Sequence, residues 1–243
     1  MLLRSTFGVR VHLSSDLLCR SRAAMAFSTK ADGRAIKFGP FEVTDQKTQT
    51  HACTYLPAYN ARLSSPRMQV FLTTPHSFAL VNLKPLVPGH ILVCPLQPHR
   101  RLTDLSPAET GDLFSAVQRT QKMLARRYFP DPRDLLSGSF TVAVQDGPEA
   151  GQTVPHLHVH VIPRTANDVG ANPDALYARM AGEEGNVGGA LWDRDHECEC
   201  EDARRPAAGG AMAPIEDAAR VARTAEDMQR EAKLYREVLR EMD

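Results

Sequence analysis

The run Pro155-His-Leu-His-Val-His-Val-Ile-Pro163 constrains this chain more than any other stretch. A strand sends successive side chains to opposite faces. His156, His158 and His160 therefore share one face, and Leu157, Val159 and Val161 share the other. Aliphatic and β-branched residues at period two suit a pleated, half-buried surface, and Pro163 reads as a stop. One face is core and the other carries chemistry. Same-face neighbours on a strand lie about 6.6 Å apart and the outer two about 13 Å apart. A zinc ion held at about 2 Å from each nitrogen can take two adjacent imidazoles but not all three, so a three-histidine zinc site is disfavoured. The central ring, His158, is the natural reacting group.

The loop just upstream, Gln145-Asp-Gly-Pro-Glu-Ala-Gly-Gln-Thr153, is rich in glycine and in amide and hydroxyl donors. Such a loop can turn backbone N–H groups towards an anion. Asp146-Gly147 is equally an ordinary turn dipeptide, so the loop takes its meaning from the histidines beside it. The chemistry that fits is nucleotidyl transfer through a covalent intermediate. Neutral His158 attacks a phosphorus, and water later cleaves the phosphoramidate. An unperturbed imidazole pKa of about 6.5 leaves most of the ring nucleophilic at neutral pH. Phosphoryl transfer rests on in-line positioning and charge stabilisation, which the flanking imidazoles can supply as hydrogen bonds.

These residues resemble the histidine triad hydrolases, whose pattern is His-x-His-x-His followed by apolar residues. The segment Ser77-Phe-Ala-Leu-Val-Asn-Leu-Lys-Pro-Leu-Val-Pro-Gly-His-Ile-Leu-Val-Cys-Pro95, the 145–153 loop and the ending Pro163-Arg164 are similar to the fragile histidine triad branch, the bis(5'-adenosyl)-triphosphatases. The resemblance covers residues 35–44 and 67–178. It implies an α+β fold, an antiparallel meander sheet with one long helix packed on it and a C-terminal helix. It also implies that His158 becomes adenylylated, held by a hydrogen bond to the backbone carbonyl of His156, and that His160 contacts the α-phosphate. His90 matches a fourth, supporting histidine. Gln145 matches a residue that positions leaving group or water, and Asn82 a ribose contact. Gly151, Gln152, Thr153 and Val154 match the segment lining the phosphates. Phe41 stands where some members carry a substrate-contacting histidine, so that contact is not expected. The implied substrate is diadenosine triphosphate or a related dinucleoside polyphosphate, with Mg²⁺ or Mn²⁺ carried on its phosphates and no organic cofactor. The implied assembly is a homodimer with joined sheets. Tyr177 matches a tyrosine of a mobile segment near the site.

Other readings stay open. One is the phosphoramidate hydrolase branch, against which the 145–153 loop and Pro163-Arg164 argue. Another is a signalling module in which the bound dinucleotide is the message and turnover is slow. A third is a zinc protein built on a His-x-His pair.

The recognisable domain, residues 35–178, uses little more than half of the 243-residue chain. Residues 45–66 read as an insertion, residues 179–214 as a linker, flexible over most of 181–213, and residues 215–243 as a C-terminal helix. Residues 1–34 are excluded from the fold. Arg4, Arg10, Arg20 and Arg22, several serines and few acids there suit a mitochondrial or plastid targeting segment; the alternative is a cytoplasmic protein starting at Met25. A formal net charge of zero lacks the basic footprint of nucleic-acid binding, and no apolar run is long enough to span a membrane. Five cysteines without framework spacing suit a reducing compartment. His196-Glu-Cys198-Glu-Cys200 reads as a solvated acidic segment rather than a metal site.

Strands are expected over 67–72, 78–83 and 90–94, the last two joined by the turn Lys84–Gly89. Ser106-Pro-Ala-Glu109 has the form of N-cap, N1 proline and capping-box glutamate, and opens a helix that buries Leu113, Val117, Leu124 and Tyr128. In residues 139–145, Phe140, Val142 and Val144 alternate with Thr141, Ala143 and Gln145, which places Gln145 opposite the main apolar set. In the C-terminal helix the stripe Ile215, Ala219, Ala222, Ala225, Met228, Ala232, Tyr235 and Leu239 packs on the domain or on a partner.

Overall fold

The computed structural model describes residues 36–43, 69–182, 185–195, 205–207 and 223–243. The expected targeting segment, the 45–66 insertion, the His196–Cys200 cluster and residues 215–222 of the expected C-terminal helix lie outside them. Strands β3 (Val70–Thr73), β4 (Ser77–Val81), β5 (Ile91–Pro95), β6 (Ser139–Val144) and β7 (Val159–Arg164) form one antiparallel sheet in the order β3-β4-β5-β7-β6. A two-stranded hairpin, β1 (Lys37–Phe38) and β2 (Phe41–Glu42), stands apart from it in the ladder. The architecture is α+β, as expected.

One face of the sheet is covered by α1 (Pro107–Tyr128) and α4 (Ala225–Arg240). Helix α1 starts where its sequence says it should: Ser106 accepts the Glu109 N–H, and Glu109 reaches back to the Ser106 N–H at 2.9 Å. Leu113, Val117 and Leu124 are buried against Leu157, Val159 and Val161 in one core. Helix α4 is capped by Thr224 and Asp227 in the same manner and buries Met228, Ala232, Tyr235 and Leu239. Tyr235 meets Tyr128 of α1 at 2.8 Å and Glu231 at 2.5 Å, and Glu231 also pairs with Arg223. The hydroxyls of buried Tyr235 and half-buried Tyr128 are thereby satisfied. Arg236 donates to the Val70 carbonyl and so occupies part of the β3 edge.

Three local expectations need correction. Strand β7 begins only at Val159, because Leu157 donates its N–H to the His99 carbonyl rather than to a ladder. Pro163 does not end the strand, which runs on to Arg164. Its β5 neighbour pairs only as far as Val161, so the missing proline N–H falls where no partner strand requires it. Within the expected flexible linker, Val187–Asp195 forms a helix, α3; just before it, Ala175–Ala181 forms α2. Val187, Ala190 and Leu191 join the main core, and that burial outweighs the poor helix propensity of Gly188 and Gly189.

Candidate active site

The second face of the sheet carries the histidines. His90 immediately precedes β5, which starts at Ile91 rather than at the expected position 90, His160 lies in β7, and His156 and His158 sit in the extended lead-in to β7. The sheet brings them together: Leu92 pairs with His160, and the His158 and His160 rings lie 5.0 Å apart. Helix α2 closes over this face, Leu176 and Met180 packing on Ile162, Leu86 and Val87. The hairpin closes it elsewhere, Phe38 lying against His156 and His158. His156 and His158 are each 1% exposed and His160 is 0%.

Hydrogen bonds assign a proton to each ring, because a ring nitrogen that accepts cannot carry the proton of a neutral imidazole. Leu86 N–H donates to His90 Nδ1 at 3.1 Å, so the His90 proton sits on Nε2 and is donated to His160 Nδ1 at 2.9 Å. The proton of His160 is therefore on Nε2, where it meets no partner among the described residues. His158 donates Nδ1–H to the His156 carbonyl at 2.8 Å, which leaves its Nε2 as a lone pair, buried and also without a partner. His156 accepts at Nδ1 from Gly39 N–H at 3.0 Å and donates Nε2–H to the Pro95 carbonyl at 2.8 Å. The site thus presents one nucleophilic nitrogen and, beside it, one N–H donor.

Burial favours the neutral form of the three triad rings. It pushes His158 down to about 4, against the raising effect of its bond to the His156 carbonyl. Burial likewise holds His160 well below the usual histidine range, helped by His158 and His90, and lowers His156 despite the Pro95 bond. The consequence for stability has a definite sign. With a folded pKa below the unfolded one, the unfolded chain takes the proton first as pH falls through about 6.5, so stability is lost between there and about 4. His158 alone makes unfolding at pH 5 easier than at pH 7 by about 2 kcal/mol. Denaturant titrations at the two pH values check this; equal midpoints and slopes contradict it.

The remaining expected residues are placed as follows. Asn82 is 2% exposed, with its amide nitrogen 3.4–3.5 Å from the His90 ring and its carbonyl accepting Lys84 N–H. Gln145 is 9% exposed on the histidine side, donating to the Met180 carbonyl at 3.4 Å. The 145–153 loop turns at Gly147 (φ +115) and Gly151 (φ +91). Gln152 sends its side-chain amide outward to the Arg100 carbonyl, and Thr153 Oγ1 accepts the Gly188 N–H at 2.9 Å. Val154 is fully buried, so its side chain packs in the core. Phe38, Gly39 and Pro95 complete the site and were not among the expected site residues; in the sequence Gly39-Pro40 reads only as a turn and Pro95 only as the end of the 77–95 segment. Among the described residues no group of three or more His, Cys, Asp or Glu is set to hold a metal ion. No helix among them is long and apolar enough to cross a membrane.

The family model for the HIT domain matches residues 65–167. The chain is 39% identical over 165 residues to the asymmetrical bis(5'-nucleosyl)-tetraphosphatase of Schizosaccharomyces pombe, covering 68% of this chain and 85% of that protein. It is 40% identical over 139 residues to the bifunctional bis(5'-adenosyl)-triphosphatase/adenylylsulfatase FHIT of Arabidopsis thaliana, covering 57% and 72%. A longer curated relative is spanned only to 26% of its length. The crystal structure of Plasmodium falciparum diadenosine triphosphate hydrolase in complex with cyclomarin A shares the fold, with a TM-score of 0.50, 24% identity and 86% coverage of both chains.

Proposed function

This chain belongs to the HIT-domain family, and from that premise we propose that it hydrolyses diadenosine triphosphate, or a related dinucleoside polyphosphate, to AMP and a second nucleotide through an adenylyl-His158 intermediate. The observation that carries the reading is the pair of ring nitrogens with no partner among the described residues, a lone pair on His158 Nε2 beside an N–H on His160 Nε2. The lone pair attacks the α-phosphorus. The bond from that phosphorus to the bridging oxygen breaks, and ADP leaves. His160 Nε2–H stabilises charge on the equatorial oxygens, and its proton stays in place because His90 Nε2–H occupies Nδ1. Water then attacks the same phosphorus, the N–P bond breaks, and AMP departs carrying the water's hydroxyl, with the second water proton released to solvent and the lone pair restored to His158. Gln145 orients the leaving group or the water, Asn82 the ribose, and the backbone of Gly151 to Val154 lines the phosphates. Mg²⁺ or Mn²⁺ arrives on the polyphosphate as part of the substrate. Strand β6 supports a homodimer through joined sheets: it is the last strand of the sheet, and Val142 on it is 42% exposed.

Product analysis tests the reaction. Diadenosine triphosphate with Mg²⁺ is expected to give equal AMP and ADP, and diadenosine tetraphosphate to give AMP and ATP. Two ADP from the tetraphosphate would contradict attack at the α-phosphorus. One observation favours a second reading, a signalling module with slow turnover. The triad is sealed, and two of the expected substrate contacts, Gln145 and Thr153, are engaged by Met180 and Gly188. Tight dinucleotide binding without products would select it.

A further inference from the structure

The first histidine of the triad is held by a turn that lies 117 residues before it. Gly39 N–H and the Pro95 carbonyl occupy both nitrogens of the His156 ring, so neither remains to contact a substrate. Phe38, fully buried, stands edge-on to His158 with centroids 5.1 Å apart and tilted against His156 at 5.6 Å. Phe78 also stands edge-on to His156, with centroids 6.1 Å apart. The fit around the turn is tight. Gly39 has φ +59, and a Cβ added there would lie 2.7 Å from Val154 Cγ1. The His156 residue fixed in this way supplies the carbonyl that accepts His158 Nδ1–H.

We propose that the Phe38-Gly39 turn is a positioning clamp for the nucleophile: Gly39 and Pro95 pin the His156 ring at both nitrogens, Phe38 wedges against His158, and together they aim the His158 Nε2 lone pair. The clamp rests on the reading of His158 as the nucleophile. Phe38 and Gly39 are positioning residues, since they act through the histidines. Misplacing a reacting group by about 1 Å can cost about a hundredfold in rate, so a clamp of this kind has a measurable effect. Besides His158, the titratable ring that faces His156 among the described residues is His99, which is paired with Glu109 at 2.9 Å and belongs to the loop before α1, not to the turn.

The test uses the full chain labelled with ¹⁵N at histidine. Ring spectra are recorded beside kcat for diadenosine triphosphate and the binding of a non-hydrolysable analogue, for the parent, Gly39→Ala and Phe38→Leu. The parent is expected to show His156 as the Nε2–H tautomer and His158 as Nδ1–H. Gly39→Ala is expected to give mixed tautomers at His156 and a fall in kcat of about tenfold or more, with analogue binding within about threefold. Phe38→Leu is expected to lower kcat several-fold and to shift the His158 Nδ1–H resonance. An unchanged kcat in Gly39→Ala overturns the clamp, as does a parallel loss of kcat and binding with both tautomers unchanged. Should Gly39→Ala not fold, an unchanged kcat in Phe38→Leu overturns it. A parent that hydrolyses nothing overturns the hydrolase reading and the clamp with it, whereas equal turnover in parent and variants overturns the clamp alone.

Discussion

His158→Ala is expected to lower hydrolysis of diadenosine triphosphate by about 10⁴-fold or more while the dinucleotide still binds. The size of the effect follows from the chain of ring protons. Leu86 fixes His90, His90 fixes His160, and the His156 carbonyl fixes His158, so of the four rings His158 alone keeps an unengaged lone pair among the described residues. Neither flanking ring of the triad can replace it. The free nitrogen of His160 carries a proton, and both nitrogens of His156 are engaged. His160→Ala removes a donor and not the nucleophile, so its expected cost is smaller, about 10²- to 10³-fold. Single-turnover product formation for parent, His158→Ala and His158→Asn measures this. A His158→Ala protein within tenfold of the parent would place the nucleophile elsewhere.

Gly89→Val is expected to destabilise the fold by about 3–5 kcal/mol while leaving every histidine in the sequence. Gly89 sits at φ +84, a backbone region that a β-branched residue enters only with strain. Space is lacking as well. An added Cβ would lie 2.6 Å from the Tyr128 ring and 2.8 Å from Pro163 Cγ. Tyr128 cannot swing aside without breaking its bond to Tyr235 and the contact between α1 and α4. The damage reaches the site, because the next residue is His90, whose N–H is held by Val87 and whose ring is held by Leu86. A control lies on α1: a Cβ at Gly111 meets nothing within 4 Å, so Gly111→Ala should stabilise by about 0.5–1 kcal/mol. Equilibrium unfolding in urea compares the three proteins. Equal midpoints for the parent and Gly89→Val would show that the turn tolerates a side chain.

Features set by local chemistry were legible in the sequence. Period-two alternation separated the histidines from Leu157, Val159 and Val161, and Ser106 with Glu109 marked the start of α1 within one residue. The resemblance supplied His90, which periodicity alone leaves as the first residue of a strand. Features set by distant partners were not legible. Gly39 serves His156 from 117 positions away, and nothing near either residue announces the pairing. The glycines of 182–189 resemble a linker by composition. Helix α3 forms there because Asn186 accepts the Gly189 N–H, Thr153 accepts the Gly188 N–H, and Leu191 enters the core, none of which a propensity scale contains. Pro163 looked like a stop because the pattern cannot tell which of its neighbouring strands has already ended.

The most direct test of the account is to catch the intermediate. The protein is mixed with diadenosine triphosphate and Mg²⁺, quenched in alkali, where a phosphoramidate survives, and its peptides are mapped by mass spectrometry. The account predicts an adenylyl group on the peptide containing His158, appearing before AMP and absent from His158→Ala. Hydrolysis by the parent with no modified histidine, or with the group on another residue, would contradict it.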